Sequence, residues 1–335
     1  MVEIVVITGA GAGVGRAAVR AFARQGCDLG LIGRDQGRLD AAAAEAGDLG
    51  VRACVAIADV ADADAVEAAA EAIEQALGPI TVWVNNAMTT IVCPVSEITP
   101  AELRRGTEVT YFGTVHGTLS ALKRMRRRGR GTIVNVGSAL AYRSIPLQSV
   151  YCGAKSAVRG FTDSLRSEIL HDGDDIHLTM VHLPAINTPQ FDWALNRTGY
   201  RAQPVAPVFA PEVAADAIVR AALGGRRRRE WWVGWPTVKA VLGTRIAAGL
   251  LDRYLASSGY TGQLTKEARP DDAPSNFYEP VAGTQGAEGR FDTPVPARAG
   301  AGPARQLVVA ATVGVVGLVS AGLLRRAVRR AEGTP

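Results

Sequence analysis

The first half of the chain alternates short β-branched apolar segments with longer segments of helical pattern, and this alternation constrains the fold more than any other feature. Apolar runs of this kind are typical of parallel strands that are buried on both faces. The strands are predicted at 3–8, 28–33, 52–58, 81–85, 131–137 and 177–183. Helices between and after them predict an α/β fold, a doubly wound parallel sheet with helices on both faces.

A glycine-rich turn, Thr8-Gly9-Ala10-Gly11-Ala12-Gly13-Val14-Gly15, joins the first strand to the first helix. Glycines allow a tight turn and a close approach of the backbone to a pyrophosphate. The helix N-terminus adds unpaired N–H groups and the positive end of its dipole. Placed between a strand and a helix, the turn predicts a Rossmann-like dinucleotide-binding site.

A second motif, Tyr151-Cys152-Gly153-Ala154-Lys155, lies in a predicted helix at 149–171. Positions i and i+4 of a helix share a face, so Lys155 is expected beside Tyr151. The ammonium is expected to favour the phenolate and to lower the pKa of Tyr151, which makes it a usable acid and base. Ser138 ends the fifth predicted strand, on the edge of the sheet where ligands bind.

Together these three elements resemble the short-chain dehydrogenase/reductase family over residues 1–225. Asn85-Asn86-Ala87 and Pro184-Ala185-Ile186-Asn187-Thr188 also fit. The resemblance implies that Gly9, Gly13 and Gly15 hold the cofactor phosphates, that Asp59 reaches the adenine and that Asn86 supports the central strand. It further implies that Ser138 orients the substrate, Tyr151 transfers the proton, Lys155 holds the nicotinamide ribose, and Thr188 contacts the carboxamide.

Three positions depart from the family pattern. Thr110 stands where the family has an asparagine that holds a proton-relay water, although a threonine hydroxyl can also bind water. Met88 replaces a glycine after Asn85-Asn86-Ala87, and Ala185 replaces a glycine after Pro184. The acid/base pair itself is unchanged.

The second strand ends in Gly33-Arg34-Asp35, and this sequence bears on the choice of cofactor. An acidic residue at the position of Gly33 would bind the ribose 2′-hydroxyl and repel a 2′-phosphate. Arg34 can instead bind a phosphate through its guanidinium fork. The sequence therefore predicts that NADP(H) is favoured over NAD(H).

These features predict an NAD(P)-dependent oxidoreductase that acts on a carbonyl or alcohol substrate, with a cytoplasmic catalytic domain. One alternative is a membrane-associated NADP-binding scaffold or sensor without turnover. Another is the epimerase/dehydratase branch of the superfamily, whose glycine turn and C-terminal substrate domain differ from this chain. The resemblance also implies a homo-oligomer.

The C-terminal third has a different composition. The catalytic domain is predicted to span 1–257, with a basic, tryptophan-rich amphipathic segment at 226–257 that fits a membrane interface or a cover over the substrate cleft. Residues 258–304 have the composition of a flexible linker. Residues 305–335 contain an uncharged apolar run at 307–324, predicted as a membrane anchor with a basic tail.

Charge and cysteine content exclude other classes. The formal net charge is +5, with basic clusters but no recognisable nucleic-acid-binding module, so no nucleic-acid partner is expected. The four cysteines lack metal-type spacing, and no metal site is predicted.

Overall fold

The computed structural model describes residues 2–225, 227–270, 272–283, 285–291 and the backbone of 301–303. Its centre is a sheet of seven parallel strands with an antiparallel strand at one edge, in the order β12-β10-β7-β6-β4-β1-β2-β3. The main strands are β1 (Ile4–Thr8), β2 (Asp28–Gly33), β3 (Ala53–Ile57), β4 (Val82–Asn85), β6 (Arg130–Ser138), β7 (Asp175–Leu183), β10 (Glu230–Val233) and β12 (Ala301–Pro303). Short strands outside this sheet are β5 (Ile91–Val92), β8 (Leu195–Asn196), β9 (Tyr200–Ala202) and β11 (Leu264–Ala268).

Helices cover both faces of the sheet, which confirms the predicted fold class. They are α1 (Gly13–Ala23), α2 (Gln36–Asp48), α3 (Ala63–Leu77), α4 (Pro100–Thr107), α5 (Gly113–Arg128), α6 (Ser149–Asp172), α7 (Gln190–Trp193), α8 (Pro211–Leu223) and α9 (Gly234–Ser258). One core layer packs α1 and α8 against the sheet through fully buried Phe22 and Ile218. The other packs α3 and α5 against the opposite face around Trp83 and Ile73.

The strand order reverses between β1 and β4, which are hydrogen-bonded neighbours at the centre of the sheet. In open α/β sheets, ligands bind outside the carboxyl ends of the strands at such a switch point. The glycine-rich turn follows β1, and Ser138 ends β6 on the other side of the switch. The topology therefore places the predicted phosphate-binding turn and the predicted catalytic serine at one cleft.

The basic, tryptophan-rich segment differs in part from its sequence prediction. Trp231 and Trp232 lie in β10 and are only 7% and 3% exposed, so their interpretation as membrane-interface side chains is wrong. They are buried because β10 pairs with β7 and extends the central sheet. Trp235, at the start of α9, is 58% exposed.

Residues 258–304 were predicted to be a flexible linker, but those of them that the structure describes pack against the rest of the protein. β11 pairs antiparallel with β9, and Phe277 and Ala287 are buried in the protein core. Low periodicity suggested a linker, but single apolar side chains anchor this segment. Within the described residues no helix is both long and apolar enough to cross a membrane. The predicted anchor at 307–324 lies outside those residues and stays a prediction.

Candidate active site

A cavity of about 570 Å³ lies at the carboxyl ends of the central strands. It runs from the glycine-rich turn to the predicted catalytic residues, so both parts of the predicted site share one space. The predicted site residues that line it are Gly9, Gly13, Arg34, Asp59, Asn86, Ser138, Tyr151, Lys155 and Thr188. This size is within the ordinary range for cofactor and small-molecule sites.

Gly9 and Gly15 shape the turn in different ways. Gly9 has a φ of +68°, and a Cβ there would lie 2.9 Å from Cα of Ala87. A Cβ on Gly15 would lie 2.0 Å from the main-chain oxygen of Gly9. Gly15 therefore allows α1 to pack directly on the turn, whereas Gly9 and Gly13 border the cavity.

Asn86 holds the turn from the neighbouring strand end. Its Nδ2 donates to the main-chain oxygens of Thr8 and Gly9, at 3.0 and 3.3 Å. Its main-chain N–H donates to the Thr8 hydroxyl at 3.0 Å. These bonds fix the glycine turn against the end of β4, across the switch point.

Ser138, Tyr151 and Lys155 meet on the other side of the cavity. The Tyr151 and Ser138 side chains lie close together in its wall. Lys155 is 2% exposed, and its Nζ donates to the main-chain oxygen of Val136 at 2.7 Å and lies 5.7 Å from the centroid of the Tyr151 ring. Behind Ser138, Nδ1 of buried His182 lies 3.2 Å from the main-chain oxygen of Ser138.

The ionisation of this pair differs from the sequence expectation. Burial raises the pKa of Tyr151 to about 12, although the neighbouring Ser138 side chain acts in the opposite direction. Burial also lowers the pKa of Lys155 to about 8. Desolvation penalises the charged form of both groups, and the lowering of the Tyr151 pKa that the Tyr–Lys spacing predicted is not seen.

Thr110 lies in a π-helical turn at Glu108–Phe112, between α4 and α5. Its hydroxyl donates to the main-chain oxygen of Thr89 at 3.0 Å and accepts from the N–H of Thr89 at 3.1 Å. Its own main-chain oxygen accepts from the hydroxyl of Thr114. The structure thus commits the Thr110 hydroxyl to the loop after β4, and does not bring it to the cavity wall with Tyr151.

At the far end of the cavity, Arg34 and Asp59 are held by groups that the sequence did not suggest. Arg34 donates from Nη1 and Nη2 to the main-chain oxygens of Tyr278 and Asn276, at 2.5 and 2.6 Å. Asp59 accepts from Nη2 of Arg105 at 2.5 Å. The two carbonyl groups that Arg34 binds belong to the segment predicted to be a linker.

Arg38 is a residue of this site that sequence reasoning missed. It is 7% exposed, it lines the cavity, and its Nη1 is buried without a hydrogen-bond partner among the described residues. Its Nη2 lies 3.3 Å from a carboxylate oxygen of Asp35. An unpartnered buried guanidinium nitrogen is costly, and it fits an anionic group in the cavity. The feature of the sequence that could have indicated Arg38 as a site residue is its position four residues after Arg34.

Apart from the predicted site residues, the cavity wall is largely apolar. Met88, one of the departures from the family pattern, lies in this wall. The other apolar side chains are Val92, Leu140, Ile145, Leu183, Phe191, Val205, Pro236 and Leu255. Arg143, Gln148 and Gln203 add polar groups. Trp193 also lines the cavity, whereas Tyr200 is 49% exposed.

A protein-family model described as short chain dehydrogenase matches residues 3–197 of this chain. The chain is 28% identical over 287 residues to the uncharacterized oxidoreductase YxnA of Bacillus subtilis, covering 84% of this chain and 79% of that protein. It is 32% identical over 279 residues to the dehydrogenase/reductase SDR family member 7B of Bos taurus, covering 79% and 84%.

Among solved structures, the chain is similar to an alcohol dehydrogenase from the archaeon Thermococcus sibiricus, complexed with 5-hydroxy-NADP. The TM-score is 0.60, and the match covers 70% of this chain and 96% of that chain. The two sequences are 24% identical, so this likeness concerns the fold.

Proposed function

This chain belongs to the short-chain dehydrogenase family, and we propose that it reduces a carbonyl or oxidises an alcohol with Tyr151 as the acid and base. The single observation that carries the proposal is that Ser138, Tyr151 and Lys155 line one cavity with the glycine turn. The family establishes an oxidoreductase that uses a nicotinamide cofactor. The roles of the individual residues are the proposal.

The residues of the cavity fit such a cofactor. Gly9 and Gly13 border the cavity where α1 begins, and Nη1 of Arg38, which has no partner among the described residues, supplies a donor for a phosphate. When bound, the nicotinamide cofactor supplies or takes up the hydride. Gly9 and Gly13 then border the phosphates, and Thr188 and Lys155 border the nicotinamide end.

Tyr151 moves the proton in this proposal. In the direction of reduction its hydroxyl donates a proton to the carbonyl oxygen, and in the direction of oxidation its phenolate accepts the alcohol proton. The Ser138 hydroxyl holds the same oxygen. A charged Lys155 stabilises the phenolate, which matters because burial alone keeps Tyr151 protonated.

We also propose a preference for NADP(H). Gly33 has no side chain that would repel a 2′-phosphate, and Arg34 and Arg38 both line the same end of the cavity. Arginine binds phosphate through paired N–H groups. The apolar part of the cavity wall supports an apolar substrate.

The proposal is tested by screening apolar ketones and alcohols while following NADPH or NADH absorbance, with wild-type protein and Tyr151→Phe. Loss of a general acid/base lowers turnover by about 10² to 10⁴-fold. We expect a loss of that size in Tyr151→Phe, with cofactor affinity retained. Undiminished turnover in Tyr151→Phe would remove the proposed role of Tyr151. A scaffold without turnover predicts instead that the wild type binds cofactor and converts no substrate.

A further inference from the structure

Residues 276–283 and 285–291, which we call the strap, cross the cofactor end of the cavity. The strap lies beyond the residues that match the family model, which end at 197. Asn276 and Pro280 are part of the cavity wall. The N–H of Asn276 also donates to the main-chain oxygen of Trp193, so the strap contacts the end of α7.

One side chain anchors the first half of the strap. Phe277 is 0% exposed and packs in a cluster with Ile91, Cys93 and Val150. Its main-chain oxygen accepts from Nε of Arg105 at 3.2 Å. Burial of this ring removes apolar surface from water and so favours docking of the segment against the protein. The carbonyls on either side of Phe277 are the two that Arg34 binds.

The second half of the strap reaches the phosphate-binding turn. The main-chain oxygen of Gly286 accepts from the N–H of Gly13, at the start of α1, at 3.1 Å. Ala287 is 2% exposed in the core layer that contains α1. A Cβ on Gly289 would lie 2.6 Å from the main-chain oxygen of Thr188, so only glycine allows this close approach.

A pair of hydrogen bonds fixes the end of the strap. Nδ2 of Asn187 donates to the main-chain oxygen of Phe291 at 2.6 Å, and Oδ1 of Asn187 accepts from the N–H of Phe291 at 3.2 Å. Nε of Arg290 bonds to Asp192 at 2.7 Å. The strap therefore contacts the elements that border both ends of the predicted cofactor path, at Arg34 and at Gly13 with Thr188.

We propose that the strap forms the outer wall of the cofactor site, with Phe277 as its positioning residue, so that the dinucleotide exchanges only when the strap detaches. This inference rests on the proposed function, because it assumes that the cavity holds a nicotinamide dinucleotide. Its physical basis is that the described residues of the strap contact Arg34, Gly13 and the loop after β7. Release of cofactor is then slowed by the contacts that must break first.

The first test measures how fast bound NADPH leaves the full chain, by stopped-flow fluorescence with excess NADP⁺ as the chase. Phe277→Ala is compared with wild type, with the conservative variant Phe277→Leu, and with Phe112→Ala, whose ring is 44% exposed on a different surface. We expect dissociation to be about tenfold faster or more in Phe277→Ala, and within about threefold of wild type in the two controls. Equal dissociation rates in Phe277→Ala and wild type would overturn the strap proposal.

A second measurement needs no variant. Hydrogen exchange of wild-type amides is followed in the strap and in the glycine turn, with and without NADPH. We expect both to exchange more slowly with cofactor bound. Protection of the turn alone would contradict the strap proposal but leave the proposed function intact. Failure of the wild type to bind NADPH or NADH would instead contradict the proposed function, and the strap proposal with it.

Discussion

The guanidinium of Arg38 lies over the indole ring of Trp193, with 4.7 Å between Cζ and the ring centroid. Arg38 belongs to α2 and Trp193 to α7, so this stacking links the two sides of the cavity. It also holds a charged group in a place where water is largely excluded, with one nitrogen unpartnered among the described residues. Such an arrangement is stabilised when an anion enters the cavity.

The first prediction concerns which phosphate group of the cofactor Arg38 binds. Arg38→Met should weaken binding of 2′,5′-ADP by about 10 to 100-fold, since a hydrogen bond to a charged group contributes about 1.5–3 kcal/mol. Calorimetry with 2′,5′-ADP and with ADP measures this. If only 2′,5′-ADP is affected, Arg38 binds the 2′-phosphate. If both are affected equally, it binds the 5′-phosphate that the two ligands share. Unchanged affinity for both ligands would show that Arg38 binds neither.

The second prediction tests the packing of the glycine turn. Gly15→Ala places a methyl group 2.0 Å from the main-chain oxygen of Gly9, and the backbone must move to accommodate it. We expect the free energy of unfolding to fall by about 1–3 kcal/mol or more. Cofactor affinity should fall as well, because the turn itself shifts.

Gly47→Ala is the matched control for that change. Gly47 lies in α2, is exposed, and has nothing within 4 Å of an added Cβ. Alanine there should raise the free energy of unfolding by about 0.5–1 kcal/mol. Denaturant unfolding of both variants gives the comparison, and similar values for Gly15→Ala and Gly47→Ala would show that the close approach to Gly9 does not matter.

Much of the fold was predictable because its determinants are local. Apolar β-branched runs form strands buried on both faces, and the glycine turn directly follows the first of them. Ser138 was predicted as a site residue because it ends a predicted strand. Tyr151 and Lys155 were predicted because they are one turn apart in a predicted helix. The structure brings these side chains to one cavity, and their catalytic roles stay predictions.

The strap and Arg38 could not be predicted in the same way. Phe277 is a single apolar residue in a segment without periodicity, and it packs on Ile91, which is distant in sequence. Arg38 resembles an ordinary solvated residue of a helix until Trp193 is placed over it. Both depend on contacts between remote parts of the chain, which spacing within one element does not reveal.

The third prediction concerns the second half of α9. Helical geometry is interrupted at Ala247, and Arg143 bonds to the main-chain oxygen of Ala248 and to Asp252. Tyr254 and Leu255, beyond the interruption, border the cavity. Asp252 is largely exposed, so its ion pair contributes at most about 1 kcal/mol. We therefore expect Asp252→Asn to raise KM for the substrate by no more than about fivefold, without changing cofactor affinity.

Steady-state kinetics and cofactor titration check this prediction. Asp216→Asn, on the exposed side of α8, removes a carboxylate elsewhere and serves as the control. If both variants raise KM equally, the effect is one of net charge, and Arg143 does not position α9 over the cavity.

The last prediction follows from the buried ammonium of Lys155. Burial lowers its pKa from 10.5 to about 8, so between those two pH values the unfolded chain holds a proton that the folded chain has lost. Because the unfolded state then binds more protons, the free energy of unfolding must rise with pH in this window, by about 1 kcal/mol per unit.

The variant Lys155→Met has no such proton to lose. Tyr151 and the cysteines also titrate in this range, so the quantity to follow is the difference between wild type and Lys155→Met, measured by denaturant unfolding at pH 7, 8, 9 and 10. We expect that difference to shift in favour of the wild type above pH 8 and to be constant below it. A difference that is independent of pH would mean that Lys155 keeps its charge in the folded protein at these pH values, and that the cavity is better hydrated around it than its 2% exposure indicates.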